Sequence, residues 1–281
     1  MIPQPFDYSA PQSLQEALAL VENSERKILA GGMSLIPLMK LRLAAPTEVV
    51  DLGRVPGLNG ITEAGGMVHI GAMATHHAIE TSPVIRANCP LLAETASHIG
   101  DVQVRNMGTL GGSIAHADPA ADYPAALLAL EAQVRLVSAR SDRTIAAEEF
   151  FQDAFTTAIE PGEILIEIIV PVEGQSEGYR YQKVAHPASG FAVVGVAARI
   201  RKKGDRITMA RIAVTGMGSH AFRDRGAEAL LEGGAPVAEA TAAVGQGQES
   251  NSDLYASADY RRHLARVHAA RAITVAVSRA S

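Results

Sequence analysis

The chain has 281 residues, of which 47% are apolar and 20% charged, and its formal net charge is −5. That balance supports a sizeable globular core and excludes a basic surface built for nucleic acid. The single cysteine, Cys89, excludes an internal disulfide, a cysteine-built zinc site and a self-contained iron–sulfur cluster, which takes about four thiolates.

A lone thiol fits a reducing cytoplasm, which is the expected location. No run of about 18 apolar residues occurs, so no membrane span is expected. The opening Met1-Ile2-Pro3-Gln4-Pro5 has neither the basic start nor the apolar run of a secretory leader. Ser13-Leu14-Gln15-Glu16 is a capping box, and Leu14, Leu18 and Val21 follow at helical spacing, which predicts a helix from about Ser13 to Asn23. Lys27–Ala30 predicts a short strand that stops at Gly31-Gly32. Leu35–Lys40 predicts one or two helical turns and Glu48–Leu52 a second strand, which together make a βαβ-like unit ending near Pro56-Gly57.

Gly60–Thr62 and Met67–Gly71, split by Gly65-Gly66, predict a hairpin. Thr75–Glu80 and Leu91–His98 predict helices, Gly108–Ser113 a glycine-rich loop, and Asp122–Leu130 a helix with Pro124 in its first turn. Val134–Val137, Thr144–Ala146 and Ile164–Val170 predict strands, the last ended by Pro171. Beyond the polar Glu173–Gly178, the segments Tyr179–Val184, Phe191–Arg201 and Ile207–Thr215 predict long antiparallel strands. Helical segments are expected near Asp224–Leu231, Val237–Gly245 and Asp259–Val277. The expected class is α+β: two βα-rich lobes, 1–57 and 58–176, then a sheet with helices over 177–281.

Two glycine pairs carry the chemistry. Ala30-Gly31-Gly32-Met33-Ser34 and Thr109-Leu110-Gly111-Gly112-Ser113 each place a hydroxyl just beyond the glycines. Paired glycines let backbone N–H groups converge, because no Cβ blocks positive φ or close approach, and converging amides bind anions. Two such turns suit a diphosphate, and neither holds a lysine or arginine. A Gly-Gly pair is also a common tight turn, and Gly65-Gly66 and Gly233-Gly234 are read that way.

The run Gln103-Val104-Arg105-Asn106-Met107-Gly108 into the second turn, continuing Ile114-Ala115-His116-Ala117-Asp118-Pro119-Ala120-Ala121-Asp122, resembles the flavin subunit of the xanthine dehydrogenase and aerobic carbon monoxide dehydrogenase family. Leu35–Lys40 after the first turn, Glu163-Ile164-Leu165 leading to Pro171, and Tyr181-Gln182-Lys183 extend the resemblance over essentially the whole chain. It implies a two-lobed FAD-binding domain of the PCMH type followed by the family's C-terminal domain. It implies FAD with its diphosphate between Ala30–Leu35 and Thr109–Ser113. It also implies a hydroxyl contact at Asp122, a polar flavin contact at His116, apolar packing at Ile99 and Leu165, and a cation near the flavin ring at Lys183. The bland alternatives are a helix cap for Asp122, a loop histidine for His116, core packing for Ile99 and Leu165, and a solvated strand lysine for Lys183. The implied partners are a large molybdopterin-binding subunit and a small 2Fe-2S subunit, paired as a dimer of heterotrimers, with electrons leaving to an external acceptor. The molybdenum cofactor and the 2Fe-2S clusters belong to those partners.

Two departures stand out. Met33 occupies a position that is often polar in the family, and Val184–Phe191 lacks the arginine and acidic residues common there. No GxSxG, HExxH or phosphate-loop lysine motif occurs, and no catalytic side chain is assigned. His76-His77 reads as a polar helix surface, because adjacent helical residues point apart. The arginines of the last helix suit either a partner contact or an amphipathic helix closing its own domain. Two rival functions are a stand-alone FAD oxidase or reductase, using His186 or Tyr181, and a non-redox nucleotide-binding module. The substrate and the acceptor are not encoded in these motifs.

Overall fold

The computed structural model describes residues 2–22 and 26–280. The first lobe runs β1 (Asp7–Ser9), α1 (Leu14–Val21), β2 (Arg26–Leu29), α2 (Leu35–Lys40) and β3 (Glu48–Asp51). The second lobe holds β4 (Ile61–Ala64), β5 (Met67–Gly71), α3 (His76–Thr81), α4 (Pro83–Asn88), α5 (Pro90–Ser97), α6 (Val102–Met107), α7 (Leu110–His116) and α8 (Tyr123–Ala129). It continues with β6 (Gln133–Val137), β7 (Asp142–Ala146), α9 (Ala147–Phe150), β8 (Phe151–Asp153), β9 (Thr156–Thr157) and β10 (Ile164–Pro171). Last come β11 (Glu177–Ala185), β12 (Ala192–Lys203), β13 (Arg206–Thr215), β14 (Phe222–Arg223), α10 (Arg225–Glu232), α11 (Val237–Ala242) and α12 (Ala258–Arg279).

β3 lies between β1 and β2 in a small parallel sheet. The second sheet has the order β4-β5-β10-β6-β7 and the C-terminal one β11-β12-β13-β14, both antiparallel. Strand alternation explains how the C-terminal sheet is covered on both sides. Val194, Val196, Ala198 and Ile200 of β12 face a core shared with α10 and α12. Ala197, Ala213 and Tyr181, on the other face, join the core of the second lobe, which includes Val68, Ile70 and Ile168 of its sheet. All of α8 is buried at that junction, against β12, β13 and α5. Leu127 and Leu128 alone contribute about 1.5–3 kcal/mol each by burial.

Local signals explain most helix ends. Ser13 Oγ accepts from the Glu16 amide at 3.1 Å, while Glu16 reaches back to the Gln12 amide at 2.7 Å, one residue before the expected partner. The expected end of that helix at Asn23 lies outside the described residues. Pro83 and Pro90 fill first-turn positions of α4 and α5, where a missing N–H costs nothing. β1, α4, α6 and the short α9, β8, β9 and β14 were not expected. β1 is only three residues long and exists through its pairing with β3, a contact that local sequence does not record. The expected loop Gly108–Ser113 is in fact a cap followed by the first turn of α7, with the Thr109 hydroxyl accepting from the Gly112 amide at 3.1 Å. Among the described residues no helix is long and apolar enough to cross a membrane.

Candidate functional site

A cavity of about 780 Å³ opens where the three parts meet. Its walls come from β2 and the first glycine turn, from the Gly108–Asp122 and Glu160–Leu165 segments, and from Ser189–Phe191 at the β11–β12 hairpin tip. The size falls in the range of small-molecule and cofactor pockets, about 300–1,000 Å³. Every residue expected to contact a cofactor lines it, except Leu110 and Lys183.

The two glycine turns lie against each other. A Cβ on Gly31 would collide with the Met107 carbonyl and stand 2.7 Å from Gly108 Cα, and one on Gly112 would stand 3.4 Å from Ala30 Cβ. At position 31 only glycine permits that approach, and Gly32 adds a left-handed φ of +72°. The turns differ in what they offer. The backbone N–H groups of Gly31, Gly32, Met33, Ser34 and Leu35 have no hydrogen-bond partner among the described residues. In the second turn Leu110 N bonds Ala74 O, Gly111 N bonds Ala72 O at 2.8 Å, Gly112 N bonds the Thr109 hydroxyl, and Ser113 N bonds Thr109 O. The expectation of two amide nests is therefore corrected. The first turn is an open nest, and the second has its amides satisfied internally. The second turn presents the Ser113 side chain and a close-packed backbone floor instead.

Leu110 is fully buried and points into the core. Ile99 and Leu165 line the cavity and also pack on that core. His116 packs against Phe155 with ring centroids 5.1 Å apart, and both face the cavity. Asp122 makes no helix-cap bond. Its buried carboxylate accepts from Tyr181 Oη at 2.5 Å and from Lys183 Nζ at 2.8 Å. Burial pushes the Asp122 carboxyl up, and the Lys183 charge together with both hydrogen bonds pulls it back. Lys183 is not a solvated strand lysine, since its side chain is 2% exposed and also bonds His98 O. Its field at the cavity is offset by the Asp122 carboxylate.

Sequence reasoning missed several wall residues, and its reading of His76 as polar helix surface is corrected. His76 is 4% exposed and lines the cavity, with Nδ1 buried and unpartnered among the described residues. Burial, and then Arg105, pushes its pKa down to about 4, so the ring is neutral. The readable signal was helical spacing: His76 and Ile79 share the buried face of α3, whereas His77 is exposed. Ser189–Phe191 reach the cavity because the His186 ring accepts from the Ala188 and Ser189 amides at 3.2 and 3.3 Å and folds the hairpin tip. Arg261 of α12 is buried, bonding Val193 O, Gly216 O and Asp253, so that arginine closes its own domain. Among the described residues no group of His, Cys, Asp and Glu is arranged to hold a metal.

The site's donors and walls fit FAD. Five open amides suit a diphosphate, Asp122 has acceptor capacity for hydroxyls, and Ile28, Leu38, Leu52 and Ile99 supply apolar walls for flat rings.

The comparisons agree with that fit. A family model for the FAD binding domain in molybdopterin dehydrogenase matches residues 4–173, and one for the CO dehydrogenase flavoprotein C-terminal domain matches residues 179–276. The carbon monoxide dehydrogenase medium chain of Hydrogenophaga pseudoflava is 41% identical, over 99% of each chain. The nicotine 6-hydroxylase medium subunit of Paenarthrobacter nicotinovorans is 38% identical, over 92% of each. The solved structure of carbon monoxide dehydrogenase from H. pseudoflava lacking the Mo-pyranopterin moiety superposes with a TM-score of 0.97, covering 100% of both chains. The chain belongs to the family of FAD-binding medium subunits of molybdenum hydroxylases.

Proposed function

We propose that the chain works as one third of a heterotrimer, itself paired, with a large molybdopterin-binding subunit and a small 2Fe-2S subunit, in the cytoplasm. In this reading, residues 1–176 form the cofactor domain and 177–281 the family's C-terminal domain. FAD, when bound, supplies the redox-active ring through which electrons pass from the iron–sulfur subunit to an external acceptor. The single observation that carries this reading is the open amide nest at Gly31–Leu35 packed against the second glycine turn.

The chain's own residues bind and orient. The Gly31–Leu35 amides and the Ser113 hydroxyl hold the diphosphate by neutral donors. Asp122 accepts from the sugar-like hydroxyls, and His116 makes a polar contact. Ile99 and Leu165 flank the flat rings and exclude water. No general base is needed for transfer of electrons alone.

Reconstitution tests the reading. The purified chain, mixed with FAD and desalted, is expected to retain a stoichiometric flavin absorbance band and to co-purify with two further subunits when expressed with its partners. A chain that retains no flavin, alone or with its partners, contradicts it.

A further inference from the structure

Asp122 opens α8 in the second lobe, yet both side chains that bond its carboxylate come from the C-terminal sheet. Tyr181 and Lys183 are two residues apart on β11, so they share one face of the strand. Lys183 is tied a second time, to the His98 carbonyl just past α5, at 2.9 Å. Gly195 on the neighbouring strand makes room for the phenol, because a Cβ there would collide with the Tyr181 hydroxyl. Asp122 lines the cavity, whereas Tyr181 and Lys183 do not. An ionised carboxylate has about four acceptor sites, and these two donors leave some free for a ligand. So deep a carboxylate stays ionised only with a paired charge.

We propose that Tyr181 and Lys183 are positioning residues that clamp Asp122 as an acceptor facing the cavity, so that strand β11 completes the cofactor site through a side chain of the second lobe. This rests on the FAD reading above. The titratable groups around Asp122 are Lys183 and Tyr181 from β11, Tyr123 beside it in α8, and His98 after α5, which itself faces Lys183, Glu94 and Arg180. Glu80 of α3 faces Tyr123. Lys183 is the cation in bonding contact with the carboxylate. Removing its charge leaves only the Tyr181 hydrogen bond to oppose burial, so the carboxyl moves up and the acceptor becomes protonated more readily as pH falls.

The test is FAD affinity of the full chain, read by flavin fluorescence quenching across about pH 6 to 8. Wild type is expected to give a flat profile. Lys183→Met should weaken binding by about tenfold, and more at the acid end, as expected for the loss of a charge-assisted bond. Tyr181→Phe, which keeps the ring and the fold, should weaken it less, in the same direction. Lys183→Arg should restore the flat profile. If Tyr181→Phe and folded Lys183→Met bind as wild type with flat profiles, the clamp is overturned while the FAD reading stands; if Lys183→Met does not fold, Tyr181→Phe decides. A wild-type chain that binds no FAD overturns both.

Discussion

At the scale of single residues, the cavity depends on atoms that are absent and on bonds that are unmade. Gly31 has no side chain because the Met107–Gly108 backbone stands where a Cβ would go, and backbone cannot swing aside. Gly31→Ala should lower stability by about 1–3 kcal/mol, the usual cost of overpacking, and abolish FAD uptake. A variant that melts with wild type and keeps its flavin band would refute the close approach. His76 is the second case. Its ring titrates near 6.5 when unfolded and near 4 when folded, so the unfolded chain takes up the proton first as pH falls. Stability from the neutral ring is present above about 6.5 and is lost as pH falls toward 4, on the order of 3 kcal/mol in all. His76→Phe should flatten that part of the curve of urea midpoint against pH. An unchanged slope would show that another group carries it.

At the scale of elements, the joint between the end of β10 and the start of α5 stores a charge penalty. Glu173 follows β10, its amide bonds Asn88 O, and its carboxyl has an unpartnered buried oxygen among the described residues. Burial pushes its pKa up to about 8, with Arg199 opposing and Glu177 assisting. A raised carboxyl is stabilising when protonated, so its contribution is full below about 4.5 and is lost as pH rises toward 8. Glu173→Gln, neutral at every pH, should be more stable than wild type near pH 8 and equal to it near pH 4.5. Chemical denaturation at both values checks this, and a variant weaker at pH 8 would mean that the ionised carboxylate is favourably paired after all.

At the scale of the whole molecule, the second lobe and the C-terminal sheet share one apolar core, with α8 between them. Separating them would expose Tyr181, Ala197 and Ala213 on one side and the buried flank of α8 on the other. The full chain should therefore unfold in one calorimetric transition, and a fragment ending at residue 176 should lack dispersed amide resonances. Two separate transitions with a well-dispersed fragment would show independent domains.

Periodicity, turn chemistry and capping made the long strands β10 to β13 and the helices α1, α5, α8 and α12 legible, because each is marked by residues three or four apart, by alternation or by a short apolar run closed by turn residues. The two glycine turns were legible as a pair for the same reason: missing Cβ atoms are written in the sequence. Tertiary structure decided the rest. Which amides stay open depends on the partners that the fold delivers, Ala72 and Ala74 for the second turn and none among the described residues for the first. Burial of His76 depends on what packs over α3. The pairing of Asp122 with Tyr181 and Lys183 joins residues about sixty positions apart, |i−j| = 59 and 61, and chain proximity carries no information at that range.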